Sequence, residues 1–251
     1  MPLSSLISLI ILFFVTSAVG VVTGSNSLIT VPVMFQFGIE PKVAVATNMF
    51  GLTFMAIGAT IPFIRQKKID YKKVSPLILI TVVGSAIGAA LVGFISDKTM
   101  PFIVSAAMII VTIFTLIKRD SGIAKTDSIP RNYLIITCVL TFLLGIYGGL
   151  YSGGYVTVLT AMLIAFFGLT FSEAVASTKL INVFSSSIAS LIFMWQGLVD
   201  YKLGAILAVT MFIAAYIGAF TVTRLNDVWL KRIFLATVII LAVKTVWDFG
   251  F

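Results

Sequence analysis

The chain has 251 residues, of which 60% are apolar and only 10% charged, against about 45–50% and about 25% in a soluble domain, so it reads as an integral membrane protein. It has no His and a single Cys, Cys138, which excludes or nearly excludes a His/Cys metal or haem site, a disulfide framework and a His-based triad. The net charge of +8 lies between apolar runs, where membrane topology accounts for it, so no nucleic-acid partner is expected.

Taken in chain order, residues 43–64, 74–96, 99–117, 180–199 and 203–223 carry no charge, and each run is about long enough to cross a bilayer as a helix. Residues 1–39 and 132–172 are also uncharged and about twice that length. A straight helix over 1–39 would be about 59 Å long against a hydrocarbon core of about 30 Å, so it must break. The polar, small segment Thr23-Gly24-Ser25-Asn26-Ser27 marks the first break, and a short apolar piece containing Pro32 follows it. Ser152-Gly153-Gly154-Tyr155 marks the second. The first apolar run starts without basic residues and exceeds a secretory signal core, so it is expected to be retained as the first span.

This predicts an all-α polytopic protein of about ten hydrophobic segments: 3–22, 26–37, 43–64, 74–96, 100–117, 133–150, 155–167, 174–195, 203–223 and 228–247. Counting each long run once would give eight. Basic residues collect in cytoplasmic loops, which arbitrates. Ten segments put twelve of them on one side, from Arg65, Lys67, Lys68, Lys72 and Lys73 to Arg131 and Arg232, and three on the other, Lys42, Lys98 and Lys202. Eight segments leave about ten against five. The reading is ten, with both termini on the non-cytoplasmic side of a cell inner membrane.

The halves are similar at a spacing of about 130 residues. Ile69-Asp70-Tyr71-Lys72 answers Val199-Asp200-Tyr201-Lys202, Ile87-Gly88-Ala89 answers Ile217-Gly218-Ala219, and Gly24 falls opposite Gly154. Five segments per repeat is an odd number, so the second repeat enters the membrane from the opposite side. The domains expected are a first inverted repeat at 1–118, a cytoplasmic linker at 119–131 and a second inverted repeat at 132–251, each with a broken or hairpin helix pair. Paired short, Gly-interrupted segments point to a substrate site at the repeat interface.

All nine acids lie in predicted loops or at segment ends, which argues against a cation substrate. Lys179 lies inside a segment, where a basic residue costs on the order of 2.5–3.5 kcal/mol unless it is compensated. Two readings stay open: its partner is an anionic substrate, or it snorkels to the cytoplasmic face near Glu173. Thr47 and Asn48 in one half, and Ser177, Thr178 and Asn182 in the other, place small polar groups at mirrored positions. Alone, such residues serve as helix–helix hydrogen bonders. Beside them, Ser25, Asn26 and Ser27 open one short helix, and Ser152, Gly153, Gly154 and Tyr155 the other. Each of these helices points unsatisfied N–H groups and a partial positive charge at its break. These thirteen residues form the candidate substrate-binding set. No catalytic or metal role and no cofactor is expected. Gly84 with Gly88, Gly20 with Gly24 and Gly145 with Gly149 read as close helix contacts, and Trp195, Trp229, Trp247, Tyr71 and Tyr201 as interfacial anchors.

The pattern resembles the TauE/SafE sulfite-exporter family of membrane anion transporters. The matching residues run from Thr23-Gly24-Ser25-Asn26-Ser27 to Pro32 with Ala46-Thr47-Asn48, and from Gly145-Ile146-Tyr147-Gly148-Gly149 to Gly154 with Ala176-Ser177-Thr178-Lys179 and the turn at Gly197 to Asp200. The first break is poorer in Gly than the family's usual motif. The resemblance implies a secondary transporter that exports small anions such as sulfite or organosulfonates, sulfoacetate among them, by alternating access. An anion channel, or a carrier of another small inorganic or carboxylate anion, is the alternative. The partners expected are the small anionic substrate and the lipid bilayer, and a homodimer stays open.

Overall fold

The computed structural model describes residues 3–24, 26–100 and 131–226, together with a few positions around 102–106 and 228–232. Among the described residues there are eight helices and no strand: α1 (Leu3–Thr23), α2 (Asn26–Gln36), α3 (Pro41–Arg65), α4 (Tyr71–Val92), α5 (Arg131–Leu150), α6 (Tyr155–Phe167), α7 (Phe171–Trp195) and α8 (Tyr201–Val222). Six of them are long and apolar enough to cross a membrane. The chain is a polytopic α-helical membrane protein. Eight of the ten expected segments coincide with these helices. The expected segments at 100–117 and 228–247, and the linker at 119–131, fall almost wholly outside the described residues.

Local chemistry starts and stops the helices where the sequence changes character. The Asp-Tyr-Lys repeat is an N-cap in both halves. Asp70 accepts from the Lys73 N–H at the start of α4, and Asp200 accepts from the Leu203 N–H at the start of α8. Thr170 and Glu173 form a reciprocal capping box ahead of α7. The long runs break at Gly24 and Gly154, whose φ angles of 68° and 75° lie in the left-handed region that residues with a Cβ rarely adopt. Within 26–36, Pro32 sits one and a half turns into α2 and does not end it.

Packing sorts the helices into an inner pair and an outer set. The spans of α3 and α7 are 72% and 61% buried, against 28–50% for α1, α4, α5 and α8, so the inner pair carries the polar residues of the core. α3 packs on α7 and α8, α7 packs on α4, and α4 packs on α5 as α8 does on α1. The expected glycine contacts hold α4 to α5. A Cβ at Gly88 would lie 1.9 Å from the Ile146 carbonyl oxygen, and one at Gly149 would lie 2.1 Å from that of Ser85. α8 meets α1 the same way, with Gly218 against the Ala18 carbonyl. Outward faces are apolar, Leu79, Val83 and Ile87 on α4 and Val209, Ile213 and Ile217 on α8, as a lipid-facing helix requires. Trp195, Tyr71 and Tyr201 are exposed near helix ends, and Trp229 is exposed. Trp247 lies outside the described residues.

Candidate functional site

The two breaks meet in the interior of the protein. Gly24 lies against the backbone of α6's first turn, where a Cβ would stand 2.7 Å from Val156 Cβ and 2.8 Å from the Thr157 nitrogen. Thr157 donates to the Thr23 carbonyl at 2.5 Å, and the Ser27 and Ser152 hydroxyls are 2.8 Å apart. Tyr151 folds over the junction and donates to the Ser27 carbonyl at 2.9 Å. Tyr147 in turn donates to the Gly153 carbonyl. The N-termini of α2 and α6 therefore lie side by side, yet the two helices do not pack along their lengths.

A cavity opens at this junction, lined by Gly20, Gly24, Asn26, Ser27, Leu52, Met55, Ala56, Ser152, Val156, Lys179 and Asn182. Its space is about 10 Å³, room for about one water molecule. Behind it the polar side chains hold one another. Asn48 donates to Ser27 at 2.8 Å and accepts from Thr30 at 2.9 Å, and Asn26 donates to Ser17 at 2.7 Å.

Lys179 is the one charged side chain that is buried among the described residues, at 2% exposure. It sits on the ninth residue of α7, about 12 Å from that helix's first residue at 1.5 Å per residue. The snorkelling reading fails here. The ammonium turns inward and donates to the Gly20 carbonyl at 2.9 Å, while Glu173 accepts from the Thr170 N–H in its capping box. Gly20 lies in the last turn of α1, so the lysine meets the negative end of that helix. An ammonium has three donors, and this bond uses one.

The structure thus brings six of the thirteen expected residues together. Asn26, Ser27, Ser152, Lys179 and Asn182 line the cavity and Asn48 braces it. Gly153 and Gly154 form the break itself. Ser25 lies outside the described residues. Four others do not reach the cavity. Thr47 accepts from the Asp200 N–H at 3.0 Å and ties the turn before α8 to α3. Thr178 is 3.1 Å from the Thr160 hydroxyl and joins α7 to α6. Ser177 is buried in α7 away from the lining. Tyr155 packs its ring against Gly148. Each residue along a helix turns the side chain by about 100°, so Ser177 and Thr178 face other elements while Lys179 and Asn182, three residues apart, share the face that lines the cavity. Sequence reasoning missed Tyr147 and Tyr151, whose spacing of four residues just ahead of the second break was the available signal, and Ser17, which has none.

Comparison with known proteins agrees with this architecture. Residues 9–245 match the family described as sulfite exporter TauE/SafE. A protein of Haemophilus influenzae named "probable membrane transporter protein" is 25% identical over 243 residues, covering 94% of this chain and 92% of its own. The Escherichia coli K12 protein YfcA, of the same description, is 26% identical over 95% of this chain and 89% of its own. Bacillus subtilis YunE is 23% identical over 78% and 81%. No solved structure matches the chain. With nearly its whole length matched, the chain belongs to the TauE/SafE family of membrane transporters.

Proposed function

We propose that this protein is a secondary transporter of small oxyanions, sulfite or an organosulfonate such as sulfoacetate, and that the cavity at the two breaks is its substrate site. The observation that carries this reading is the buried Lys179 ammonium facing a cavity walled by the N-termini of two short helices. Each helix N-terminus presents unpaired N–H groups and about half a positive charge. Hydroxyl and amide donors from Ser27, Ser152, Asn26 and Asn182 complete a donor-rich wall, and no buried carboxylate stands among the described residues to repel an anion.

The inverted arrangement of ten segments in two repeats belongs to the same proposal. α3 and α7 are 25 residues each and α4 and α8 are 22 each, and both pairs start 130 residues apart. α2 and α6, 11 and 13 residues long, are about 16 Å and 20 Å in length. Set N-terminus to N-terminus they cover about one bilayer thickness, as expected of two half-helices entering from opposite faces. The twelve-to-three distribution of basic residues supports a cell inner membrane location with both termini on the non-cytoplasmic side.

A cavity with room for about one water is smaller than a sulfur oxyanion, so loading requires the site to widen. That favours a carrier over an open anion channel. Flux of sulfite and sulfoacetate into proteoliposomes tests the proposal. The wild type should saturate and show counterflow, and Lys179→Ala should lose at least tenfold in flux while keeping its elution profile. Wild-type flux in Lys179→Ala would remove the lysine from the mechanism, and flux without saturation or counterflow would assign a channel.

A further inference from the structure

Along α1 the exposed side chains Ile7, Ile11, Val15 and Val19 recur every four residues, and residues 1–39 carry no charge. That is the apolar stripe of a helix facing hydrocarbon. The stripe is slimmer near the break, where Val replaces Ile. There α1 and α2 part around a cavity of about 150 Å³, whose lining includes Val15, Thr16, Val19, Gly20, Asn26 and Ile29.

This outer pocket is suited to hydrocarbon. The Thr16 hydroxyl already donates to the Leu12 carbonyl at 2.7 Å, and no charged side chain among the described residues lines the pocket. Val15 and Val19 open it on the lipid-facing side. Apolar cavities of about 150 Å³ stay dry and take a six-carbon hydrocarbon. Within an uncharged span the molecules outside the protein are acyl chains.

Gly20 and Asn26 line both this pocket and the substrate cavity, so they form the wall between the two. The other sides of the substrate cavity have packed protein behind them. Leu52, Met55 and Ala56 belong to α3 and Lys179 and Asn182 to α7, the two most buried spans, and Ser27 is held against Ser152. The wall of Gly20 and Asn26 has space behind it instead. It is also lightly held. Gly20 contributes no side chain, and the Asn26 amide donates to the Ser17 hydroxyl at 2.7 Å and to the Met55 sulfur at 3.4 Å, a flexible and adaptable partner. From inside, the wall is tied by the bond from Lys179 to the Gly20 carbonyl. An anion entering the cavity competes for that same ammonium.

We propose that the outer pocket seats a phospholipid acyl chain, and that the chain and the anion oppose each other across the wall of Gly20 and Asn26. The substrate cavity must widen beyond its 10 Å³ to admit an oxyanion, and the pocket is the room into which this wall can move. A chain in the pocket backs the wall and keeps the cavity closed. An anion in the cavity pushes the wall outward and displaces the chain. Linkage makes the two effects on affinity equal. The opposition rests on the transport reading, whereas the acyl seat rests on the pocket alone.

Filling the pocket covalently tests both parts, with the protein in phosphatidylcholine nanodiscs and the anion-dependent thermal shift as readout. In a Cys138→Ser background, Val19→Cys carrying a hexyl group from hexyl methanethiosulfonate should bind sulfoacetate at least tenfold more weakly than the same variant carrying a methyl group. A hexyl group on Ile7→Cys, two turns before the pocket on the same stripe, should change nothing. Saturating sulfoacetate should in turn slow hexyl labelling of Val19→Cys and not of Ile7→Cys. Val19→Phe fills the same space, and should weaken sulfoacetate binding likewise, if the cysteine variant does not fold. Equal affinity in the hexyl and methyl forms, or wild-type affinity in Val19→Phe, would overturn the opposition. Faster labelling of Val19→Cys by a charged sulfonatoethyl reagent than by the hexyl one would mark a water-filled opening and overturn the acyl seat. Absence of any anion response in the wild type would overturn the transport reading and the opposition with it, and the two labelling rates would still decide the seat.

Discussion

Asn48 shows how a residue can matter to a site that it does not line. Its amide donates to Ser27 and its carbonyl accepts from Thr30, which fixes the first turn of α2 against α3. Removing one partner of a buried pair leaves the other unsatisfied, at about 1–3 kcal/mol. Asn48→Leu is expected to lower thermal stability in detergent and to weaken any anion-dependent thermal shift, whereas Thr47→Ala, which loses only a tie to the Asp200 N–H, should keep the shift. Equal loss of the shift in both variants would place Thr47 in the site. This pair also marks how far the site was legible in the sequence. Polarity beside the breaks identified Asn48 and Lys179, because a polar group inside an apolar run needs a reason. It could not tell Asn48 from Thr47, since adjacent residues on a helix point about 100° apart and the facing element is a matter of tertiary packing. The partner of Lys179 was illegible for the same reason: Gly20 is 159 residues away, and a backbone carbonyl carries no sequence signal.

At the scale of the element, the eight helices were legible because charge and Gly punctuate them, and the observed ends lie within a few residues of the expected ones. The Asp-Tyr-Lys repeat acquires a local explanation here. Asp70→Ala or Asp200→Ala removes an N-cap, and each should cost about 1 kcal/mol, seen as a small drop in the melting temperature with anion response retained. The close contact of α4 with α5 is less forgiving. A Cβ at Gly88 meets backbone at 1.9 Å, while one at Gly93 meets the end of the Gln196 side chain at 3.2 Å. Gly88→Ala should therefore abolish a monodisperse elution peak or shift the melting point strongly downward, and Gly93→Ala should behave as wild type. Similar behaviour of the two would mean that α4 and α5 can separate cheaply.

For the whole molecule, the sequence supplied the membrane class and the paired breaks, while the inner position of α3 and α7 came from packing that no linear pattern encodes. Orientation is decided by chemistry from either side. A single Cys at Ala124 in a Cys138→Ser background should react with an impermeant thiol reagent only from the cytoplasm, and one beside Lys202 only from outside. Labelling of both from one side would remove the inverted topology.

The meeting of α2 and α6 at their N-termini carries one more consequence. Like poles held face to face push each other apart, and the nearby ammonium adds to that push, with the C-terminal end of α1 offsetting only part of it. On the transport reading, an anion between them acts as mortar. Its arrival draws the halves together around itself, and its departure restores the repulsion that separates them. The charge that recognises the cargo would then also drive the gate, so a variant that only weakens this charge should slow capture and also the reopening that follows release.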